Sequence, residues 1–455
     1  MSDMIRYLIQ FLLGEHISER IVNQIGYTSD ADSFRKYKIV VIPSGFFDEK
    51  VYGTPDSVPA LPLQIVEDIP LLFGKPLVER VGDVLVVHAD IIASSYFLLS
   101  RYEEIIRRDV RDEHGRFPGQ ESLPFRADFI HRPIVDEYGR LLRKWLSQIG
   151  IQLPEPPQAI RHIYLTHDVD APFACRLWRN VIRRAINGQS LCALIRNKFG
   201  ALENDPYYTF PWLLEKDGQT KTVFGEENCN IYLFFKAGGN EKADKPHYDL
   251  YGKDIRKLYE LLSGCACNIG LHSSYQAGKD PARIFKEKSL LEKAFLQDIS
   301  ANRHHFLAAR EPEDLSVLEQ AGITDDFTMG YADVAGFRLG TARPVRWINA
   351  CKQIVSSLVL HPLLIMDSTL SESKYMGLTT GDALDYATLL IEQVRQVNGE
   401  LVLLWHNTSV SEEKGEYHKI LYSNILNRIN ENHHHYRRAS AVYQSGHAQP
   451  GDYQP

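Results

Sequence analysis

Short apolar runs recur along residues 160–410, and the stretches between them are long enough to hold helices. Runs of this length are typical of buried strands. The predicted strands are His162–Thr166, Asn230–Phe235, Asn268–His272, His304–Ala308, Leu363–Met366 and Leu401–Trp405, with a less regular one near Phe327–Tyr331. Helical apolar spacing covers Asp254–Ser263, Lys286–Ser300 and Asp382–Gln396. Alternating strands and helices predict an α/β fold with a parallel sheet, and six or seven such units are compatible with closure into a barrel.

The preceding residues, 1–152, predict a smaller α/β or α+β domain. β-branched runs at Ile39–Ile42 and Val84–Val87 are typical of strands, and apolar residues at helical spacing predict helices over 91–107 and 135–149. The charged segment Ser100–Glu104 is interpreted as a solvated or salt-bridged face. No group of residues here indicates chemistry, so this domain is expected to be an accessory of unknown role.

A proline-rich segment separates the two predicted domains. Leu153–Pro157 contains three prolines, which neither continue a helix nor donate hydrogen bonds to a sheet. It therefore reads as a connector to a second domain over 160–410. Residues 411–455 are more polar and are expected to form a C-terminal helix or tail.

The composition narrows the class of protein. Among 455 residues, 44% are hydrophobic and 24% are charged, as is usual for a globular protein. The net charge of −7 gives no electrostatic signature of nucleic-acid binding. No apolar run approaches the roughly 18 residues that cross a bilayer. Six scattered cysteines indicate neither a disulfide framework nor a zinc motif, so a cytoplasmic location is expected.

Two acids follow the first strand of the second domain. If this strand is extended, Asp168 and Asp170 point to the same side of its end, because side chains alternate in direction along a strand. Two carboxylates this close repel each other, which favours a bound cation or a shared proton. The alternative is structural, since Asp commonly starts turns and caps helices after strands.

Other reactive side chains also fall at predicted strand ends. His272, Asp367 and His406 each lie at or just after the end of a strand. In α/β barrels, the carboxyl ends of the strands meet on one face, where active sites are built. Several independent strand-end residues therefore predict a site, although a single histidine in such a position is usually structural.

Four motifs in this order resemble those of the NodB-like polysaccharide deacetylases of carbohydrate esterase family four. They are Thr166–Asp170, Gly270–Ser273, Arg303–Phe306 and Leu404–Asn407. The resemblance covers about 160–410. It implies a distorted (β/α) barrel of about seven parallel strands. Residues 1–152 resemble an N-terminal domain that accompanies some bacterial members.

The resemblance also implies roles for the motif residues. Asp168 is expected to be the general base, Arg303 the residue that orients it, and His406 the general acid. Asp170 and His272 are expected to bind a divalent cation, usually zinc. Such a cation would activate the attacking water and polarise the acetyl carbonyl.

This sequence departs from the family pattern at the metal site. The family's second histidine, four residues after His272, is replaced by Gln276, whose neutral amide is a poor zinc ligand. We expect His305, which stands where the family has proline, to supply the missing ligand. The structural alternative for His305 is a place at a strand edge. Tyr275 and Asp367 are expected to contact the substrate, and the structural alternative for Asp367 is a cap on the turn that follows it.

The leading hypothesis is a metal-dependent hydrolase that removes an acetyl group from an N-acetylated sugar or glycan. Gln276 favours an alternative, a deacetylase-like module that binds carbohydrate or serves assembly without strong metal binding. Hydrolysis of a non-sugar amide is a third possibility, because the motifs specify the bond and not the group around it.

Overall fold

The computed structural model describes residues 2–14 and 16–445, and side chains up to residue 431. The N-terminal part of the expected C-terminal helix or tail therefore falls within the described residues, whereas 446–455 lie outside them. Among the described helices, none is both long and apolar enough to cross a bilayer.

The N-terminal part has helices packed around a four-stranded mixed sheet. Its order is β1–β2–β6–β5; β1, β2 and β6 run parallel and β5 pairs antiparallel with β6. The elements are α1 (Asp3–Leu13), α2 (Glu19–Val22), β1 (Ile25–Tyr27), β2 (Ile39–Val41), β3 (Gln64–Val66), β4 (Ile69–Leu71), β5 (Gly74–Val81), β6 (Val84–Ala89), α3 (Ile91–Leu99), α4 (Tyr102–Ile106), α5 (Leu123–Arg126) and α6 (Ile134–Gln148).

The second part is built on a curled, mostly parallel half-barrel sheet, consistent with a distorted barrel. Its strands are β7 (His162–Val169), β8 (Cys229–Phe235), β9 (Asn268–Ser273), β10 (Ala301–His304), β11 (Asp325–Asp326), β12 (Val345–Asn349), β13 (Ile354–Leu360), β14 (Leu363–Met366) and β15 (Glu400–Leu404). Across the described residues the order is β12–β13–β11–β10–β9–β8–β7–β15–β14, and only the β12–β13 pair is antiparallel. One face of the sheet packs against helices such as α9, α11 and α14, and the other is filled by apolar side chains, including Phe234 and Leu404, so the central strands are continuous apolar runs.

The helices of the second part are α7 (Trp178–Ile186), α8 (Leu191–Phe199), α9 (Phe210–Phe224), α10 (Lys253–Gly264), α11 (Arg283–Phe295), α12 (Ser316–Gln320), α13 (Asp367–Ser371), α14 (Thr380–Gln396) and α15 (Tyr417–Ser445). Short 3-10 helices cover Ala31–Lys36, Pro55–Ser57, Gly119–Glu121, Leu202–Asn204, Lys242–Asp244, His305–Leu307, Pro312–Leu315 and Glu412–Lys414. Helix α15 is not a loose tail over its described side chains, because apolar residues at helical spacing, including Leu421 and Ile425, are buried.

Three local predictions are wrong. The strand predicted over His304–Ala308 ends at His304, and 305–307 form a 3-10 turn with Phe306 at φ +61°. The strand predicted near Phe327–Tyr331 is absent there, and the short β11 precedes it. The helix predicted over 91–107 breaks at Arg101, whose φ of +56° separates α3 from α4.

The two parts share one hydrophobic core and several buried polar contacts. Arg338 Nε donates to Glu104 Oε1 at 3.0 Å and Arg338 NH2 donates to Glu104 Oε2 at 2.8 Å, and both side chains are buried. Arg101 donates to the Ala309 carbonyl at 3.0 Å. Helix α1 also contacts the second part, because Arg343 donates a hydrogen bond to the Phe11 carbonyl at 2.7 Å.

Candidate active site

The strand order brings the predicted residues to one edge of the sheet. Asp168 is the penultimate residue of β7, and Asp170 directly follows the strand. His272 lies in β9, directly opposite Arg303 of the neighbouring β10. His305 is the first residue after β10. Because these strands run parallel, their carboxyl ends point the same way, and their polar side chains converge.

A candidate Asp/His/His metal-binding group exists at this edge, formed by Asp170, His272 and His305. Asp170 Oδ1 lies 3.1 Å from His272 Nε2 and 3.2 Å from His305 Nε2. Ligand atoms around a tetrahedral zinc ion, bound at ~2.1 Å, stand roughly 3.4 Å apart. The spacing of these three side chains therefore fits a single small cation.

The orientation of His272 is set by the backbone. Its Nδ1 lies 2.9 Å from the Arg303 carbonyl oxygen. A carbonyl only accepts, so Nδ1 carries the proton and, in the neutral ring, Nε2 presents a lone pair to Asp170. Both His272 Nε2 and Asp170 Oδ1 are buried without hydrogen-bond partners. Two acceptors that face each other in this way are stabilised by a cation between them.

Asp244 stands behind His305. Its Oδ1 lies 3.6 Å from His305 Nδ1 and accepts a hydrogen bond from the Tyr275 amide at 2.7 Å. At 3.6 Å the Asp244 and His305 side chains form an ion-pair contact and not a hydrogen bond, and the charge of Asp244 favours the ring orientation that turns Nε2 toward Asp170. Burial alone would lower the pKa of His305, but Asp170 and Asp244 raise it above its ordinary value.

Asp168 is held by a buried arginine. Arg303 NH1 donates to Asp168 Oδ1 at 3.1 Å and to Thr166 Oγ1 at 2.7 Å. Arg303 Nε donates to the Phe327 carbonyl at 3.0 Å, and the guanidinium lies 4.7 Å from the centre of the Phe234 ring. The other oxygen of Asp168 lies 3.5 Å from His272 Nε2. The carboxylate is thus fixed, charge-balanced and directed at the metal-binding group.

His406 and Asp367 form a second acid–imidazole pair beside the group. His406 Nδ1 donates to Asp367 Oδ1 at 2.8 Å, and His406 Nε2 lies 3.8 Å from Asp170 Oδ2. Burial would lower the pKa of His406, but Asp367, followed by Asp170 and Asp168, raises this pKa to about 10. His406 is therefore held as an imidazolium at neutral pH.

The site opens to solvent over two of these residues. The side chain of Asp170 is 29% exposed and that of His406 is 18% exposed, whereas those of His272 and His305 are 1% and 5% exposed. The metal-binding group is therefore reached from the side of Asp170 and His406. Asp367 is fully buried behind His406.

Tyr275 and Gln276 lie to one side of the group. The Oε1 of Gln276 accepts a hydrogen bond from the Asn240 amide at 2.9 Å, so this side chain is engaged by a loop. The Tyr275 hydroxyl lies 3.5 Å from His114 Nδ1, and its ring lies 4.5 Å from the Arg310 guanidinium. The Tyr275 ring also packs edge-on against Phe306, the residue after His305, at 5.5 Å, and against His114 of the N-terminal part at 5.8 Å.

The sequence arguments missed several residues around the site. Asp244 lies in a 3-10 turn with no apolar periodicity, and nothing in the sequence connects it to His305. Lys236 directly follows β8, so a search for polar residues at strand ends would have found it. Burial lowers the pKa of Lys236, and the charges of Asp170, Asp244 and Asp168 partly offset this lowering. Arg116 of the N-terminal part donates to the Phe306 carbonyl at 2.8 Å.

Comparisons with known proteins add little to the description of this site. No curated protein matches the chain. The family described as "Family of unknown function (DUF7033)" matches residues 3–150, less than half of the 455 residues. A solved structure described as "Crystal structure of putative polysaccharide deacetylase from Mycobacterium smegmatis" is 13% identical with a TM-score of 0.37, covering 67% of this chain and 96% of that chain. Such a similarity does not establish a common fold or activity.

Proposed function

We propose that this protein is a metal-dependent hydrolase that removes an acetyl group from an N-acetylated sugar or glycan. The observation that carries the proposal is the convergence of Asp170, His272 and His305, with Asp168 beside Asp170 at the end of β7 and His406 just after β15. The resemblance of the motifs in 160–410 to those of polysaccharide deacetylases is the reason for proposing an acetyl amide as the bond that is hydrolysed. We also propose that the protein works in the cytoplasm, where its six free cysteines stay reduced.

The group Asp170, His272 and His305 would hold the cation, and zinc is the proposed ion because two imidazoles and one carboxylate suit it. A divalent cation bound there supplies Lewis-acid polarisation of the acyl carbonyl and lowers the pKa of water. The chain contributes the orientation of the ligands, through the Arg303 carbonyl behind His272 and Asp244 behind His305.

In this proposal Asp168 is the general base. Its carboxylate takes the proton of the attacking water while Arg303 holds Oδ1 in place. Arg303 is completely buried and also donates hydrogen bonds to Thr166 Oγ1 and the Phe327 carbonyl. It therefore cannot contact the substrate, and we propose that it positions Asp168.

His406 is the proposed general acid. As an imidazolium, it donates a proton to the amine nitrogen as the amide bond breaks, and Asp367 stabilises its charged form. We therefore propose that Asp367 positions His406, since a fully buried carboxylate offers no surface to a substrate. Tyr275 stays a proposed substrate contact, because its ring packs against Phe306, the residue after His305.

The test is acetate release from N-acetylated chito-oligosaccharides by the purified chain, with and without added zinc, cobalt or nickel, together with its metal content. Asp168→Asn is expected to lower turnover about a hundredfold or more while leaving metal content unchanged. Asp170→Asn is expected to lower both. An Asp168→Asn variant that binds metal and turns over substrate as fast as the unchanged chain would overturn the mechanism.

The same experiment separates the enzyme from the binding-module alternative. A module that binds carbohydrate without strong metal binding would retain no metal after dialysis and release no acetate from any N-acetylated sugar. Binding of the same oligosaccharides by calorimetry would then support that alternative. Acetate release from simple N-acetylated amines but not from sugars would indicate a non-sugar substrate.

A further inference from the structure

Two short helices beside the site expose their apolar residues to solvent. Helices α7 and α8 form a hairpin closed by the turn at Asn187–Ser190. The outward residues repeat four apart on each helix and are 42% to 79% exposed: Trp178, Ile182 and Ile186 on α7, and Leu191, Ile195 and Phe199 on α8. These six residues form what we call the hairpin stripe. Soluble proteins rarely leave so large an apolar surface uncovered without a use.

The stripe is not a misplaced core. Each helix also has an inward face, where Val181 and Leu194 are 1% and 2% exposed and pack on Ala174 and Cys175. The inner apolar face of the hairpin is therefore already packed against the rest of the protein, and the hairpin stripe is a second, separate apolar face. On the outer side, the Trp178 and Phe199 rings meet at 5.7 Å, so the two helices present one continuous surface.

Positive charge surrounds the stripe. Between Asp170 and Glu203 the sequence contains six arginines and lysines and no acid. Two of these six residues contact carboxylates. Arg176 lies 4.0 Å from Asp205, and Arg184 forms an ion pair with Glu413. The other four have no ion-pair partner among the described residues: Arg179, Arg183, Arg196 and Lys198. Lys198 lays its stem over the Trp178 ring, with Nζ at 4.7 Å from the ring centre.

We propose that the hairpin docks this protein on the surface of an anionic lipid bilayer. Helices with an apolar face, cationic flanks and an aromatic residue lie in the membrane interface, with the apolar side among the acyl chains and the bases at the headgroups. Nine-residue helices are roughly 14 Å long, which is far too short to span a bilayer and sufficient to lie along one.

The charge pattern selects this occupant over a second copy of the chain. A symmetric dimer through the stripe would bring two sets of unpaired cations together at a low-dielectric interface, which costs free energy. Anionic headgroups instead offer a negative surface, and each nearby arginine or lysine strengthens attachment. An acidic protein surface would be the competing partner, and the test below distinguishes it.

The docked surface adjoins the candidate active site. Ala171 follows Asp170 and, together with Arg176 and Asn180, lines a cavity of about 180 Å³ whose other wall is formed by 246–255. A hairpin held in the headgroup layer therefore keeps this cavity at the membrane surface. Docking itself does not depend on the proposed hydrolase activity.

The test uses the full chain and vesicles of phosphatidylcholine alone or with phosphatidylglycerol. We expect cosedimentation with the anionic vesicles and little with the neutral ones. Trp178 is 54% exposed, whereas Trp145, Trp347 and Trp405 are 3% exposed or less and Trp212 is partly buried against the core, so binding is expected to shift the fluorescence of Trp178 to the blue. Trp178→Phe should abolish the shift and retain cosedimentation.

Two variants test the two halves of the surface. Ile182→Asn with Ile195→Asn removes apolar contact, and Arg183→Gln with Arg196→Gln removes charge; each should lower vesicle binding at least about tenfold. Matched controls are Ile354→Asn, at a residue 52% exposed on β13, and Arg35→Gln with Lys36→Gln on the N-terminal part. The controls should bind as the unchanged chain does.

Three results would overturn the proposal. One is no cosedimentation with anionic vesicles by a chain whose circular dichroism shows it folded. Another is equal binding by the stripe variants and their controls. The third is a dimer or an acidic-protein complex that Ile182→Asn disrupts while vesicles stay unbound. Because vesicle binding needs neither metal nor turnover, failure here leaves the hydrolase proposal untouched, and the converse holds.

Discussion

Asp170 connects every part of the candidate site. Its Oδ1 faces the imidazoles of His272 and His305, and its Oδ2 faces that of His406. Three histidine side chains therefore lie around a single carboxylate. Burial would raise its pKa, but the charge of His305 holds this pKa well below its ordinary value. The carboxylate is thus ionised, as a metal ligand must be.

His305 gives the sharpest test of the metal-binding group. We expect His305→Ala to lose most of its bound metal, because two ligands bind a divalent cation far more weakly than three. Asp244→Asn should keep the ligand and lower metal affinity about 10- to 100-fold, as loss of a supporting carboxylate does. Metal affinity measured by competition with a chromogenic chelator gives both values.

The neighbouring His304 supplies the control. It is buried, lies 3.1 Å from the Asn302 amide nitrogen, and is not part of the Asp/His/His group. His304→Gln should therefore keep its metal. Full metal occupancy in His305→Ala would refute the assignment of His305 as a ligand.

Asp367→Asn tests how His406 is kept protonated. Asp367 is the largest contributor that raises the pKa of His406, and removing its charge should lower that pKa. A general acid is active below its pKa, so the alkaline limb of kcat/KM is expected to move to lower pH, with a loss of roughly tenfold or more in rate. An unchanged pH profile would separate Asp367 from the chemistry.

At the scale of elements, a charged triad ties the amino end of the sheet together. His361, between β13 and β14, lies 2.9 Å from Glu400 of β15 and 3.0 Å from Asp325 of β11. Its ring stacks on Phe327 at 4.5 Å. Burial would lower the pKa of His361, but the two carboxylates raise this pKa from 6.5 to about 9.

This triad makes the stability of the fold depend on pH. A group whose pKa is higher in the folded state contributes fully below its unfolded pKa, here 6.5, and the contribution disappears as the pH rises through about 9. The free energy of unfolding, measured by urea denaturation, should therefore fall between about pH 6.5 and 9. His361→Gln should be less stable at pH 6 and lose most of that pH dependence.

The strands around the site show which local structure can be predicted from the sequence. β7, β8, β14 and β15 were predicted within a few residues, because strands buried on both faces are continuous apolar runs. β10 was displaced, since Asn302 and Arg303 are polar residues buried by partners on other strands. Their burial depends on contacts distant in sequence, which periodicity does not report.

The candidate site divides in the same way. Asp168, Asp170, His272 and His406 follow apolar runs and could be located by their position at strand ends. Asp244 could not, because its turn carries no periodic signal and its contact with His305 spans 61 residues of sequence.

At the scale of the whole molecule, the N-terminal part and the half-barrel are joined by buried charge. The segment Ser100–Glu104 was interpreted as a solvated or salt-bridged face, and the second reading is the correct one. Glu104 is 3% exposed and pairs with Arg338, 234 residues away. Burial would raise the pKa of Glu104, but Arg101 and Arg338 lower this pKa to about 2.

We expect Glu104→Ala to destabilise both parts together. Two guanidinium groups would stay buried without their carboxylate, at a cost of about 3 to 5 kcal/mol. Differential scanning calorimetry should show one transition at a lower temperature. The control is Glu79→Ala, which breaks an exposed contact with His88 and should cost less than about 1 kcal/mol. Two separate transitions would contradict a shared core.

The place of α1 has a consequence for how the chain is made. Its Tyr7 hydroxyl accepts from the Arg346 amide and its Phe11 carbonyl from Arg343, across sequence separations of 339 and 332 residues. A ribosome that adds about 5 to 20 residues per second needs roughly 20 to 70 seconds between the two. During that interval α1 has no partner on this side, so nascent chains should depend on chaperones until β12 leaves the exit tunnel.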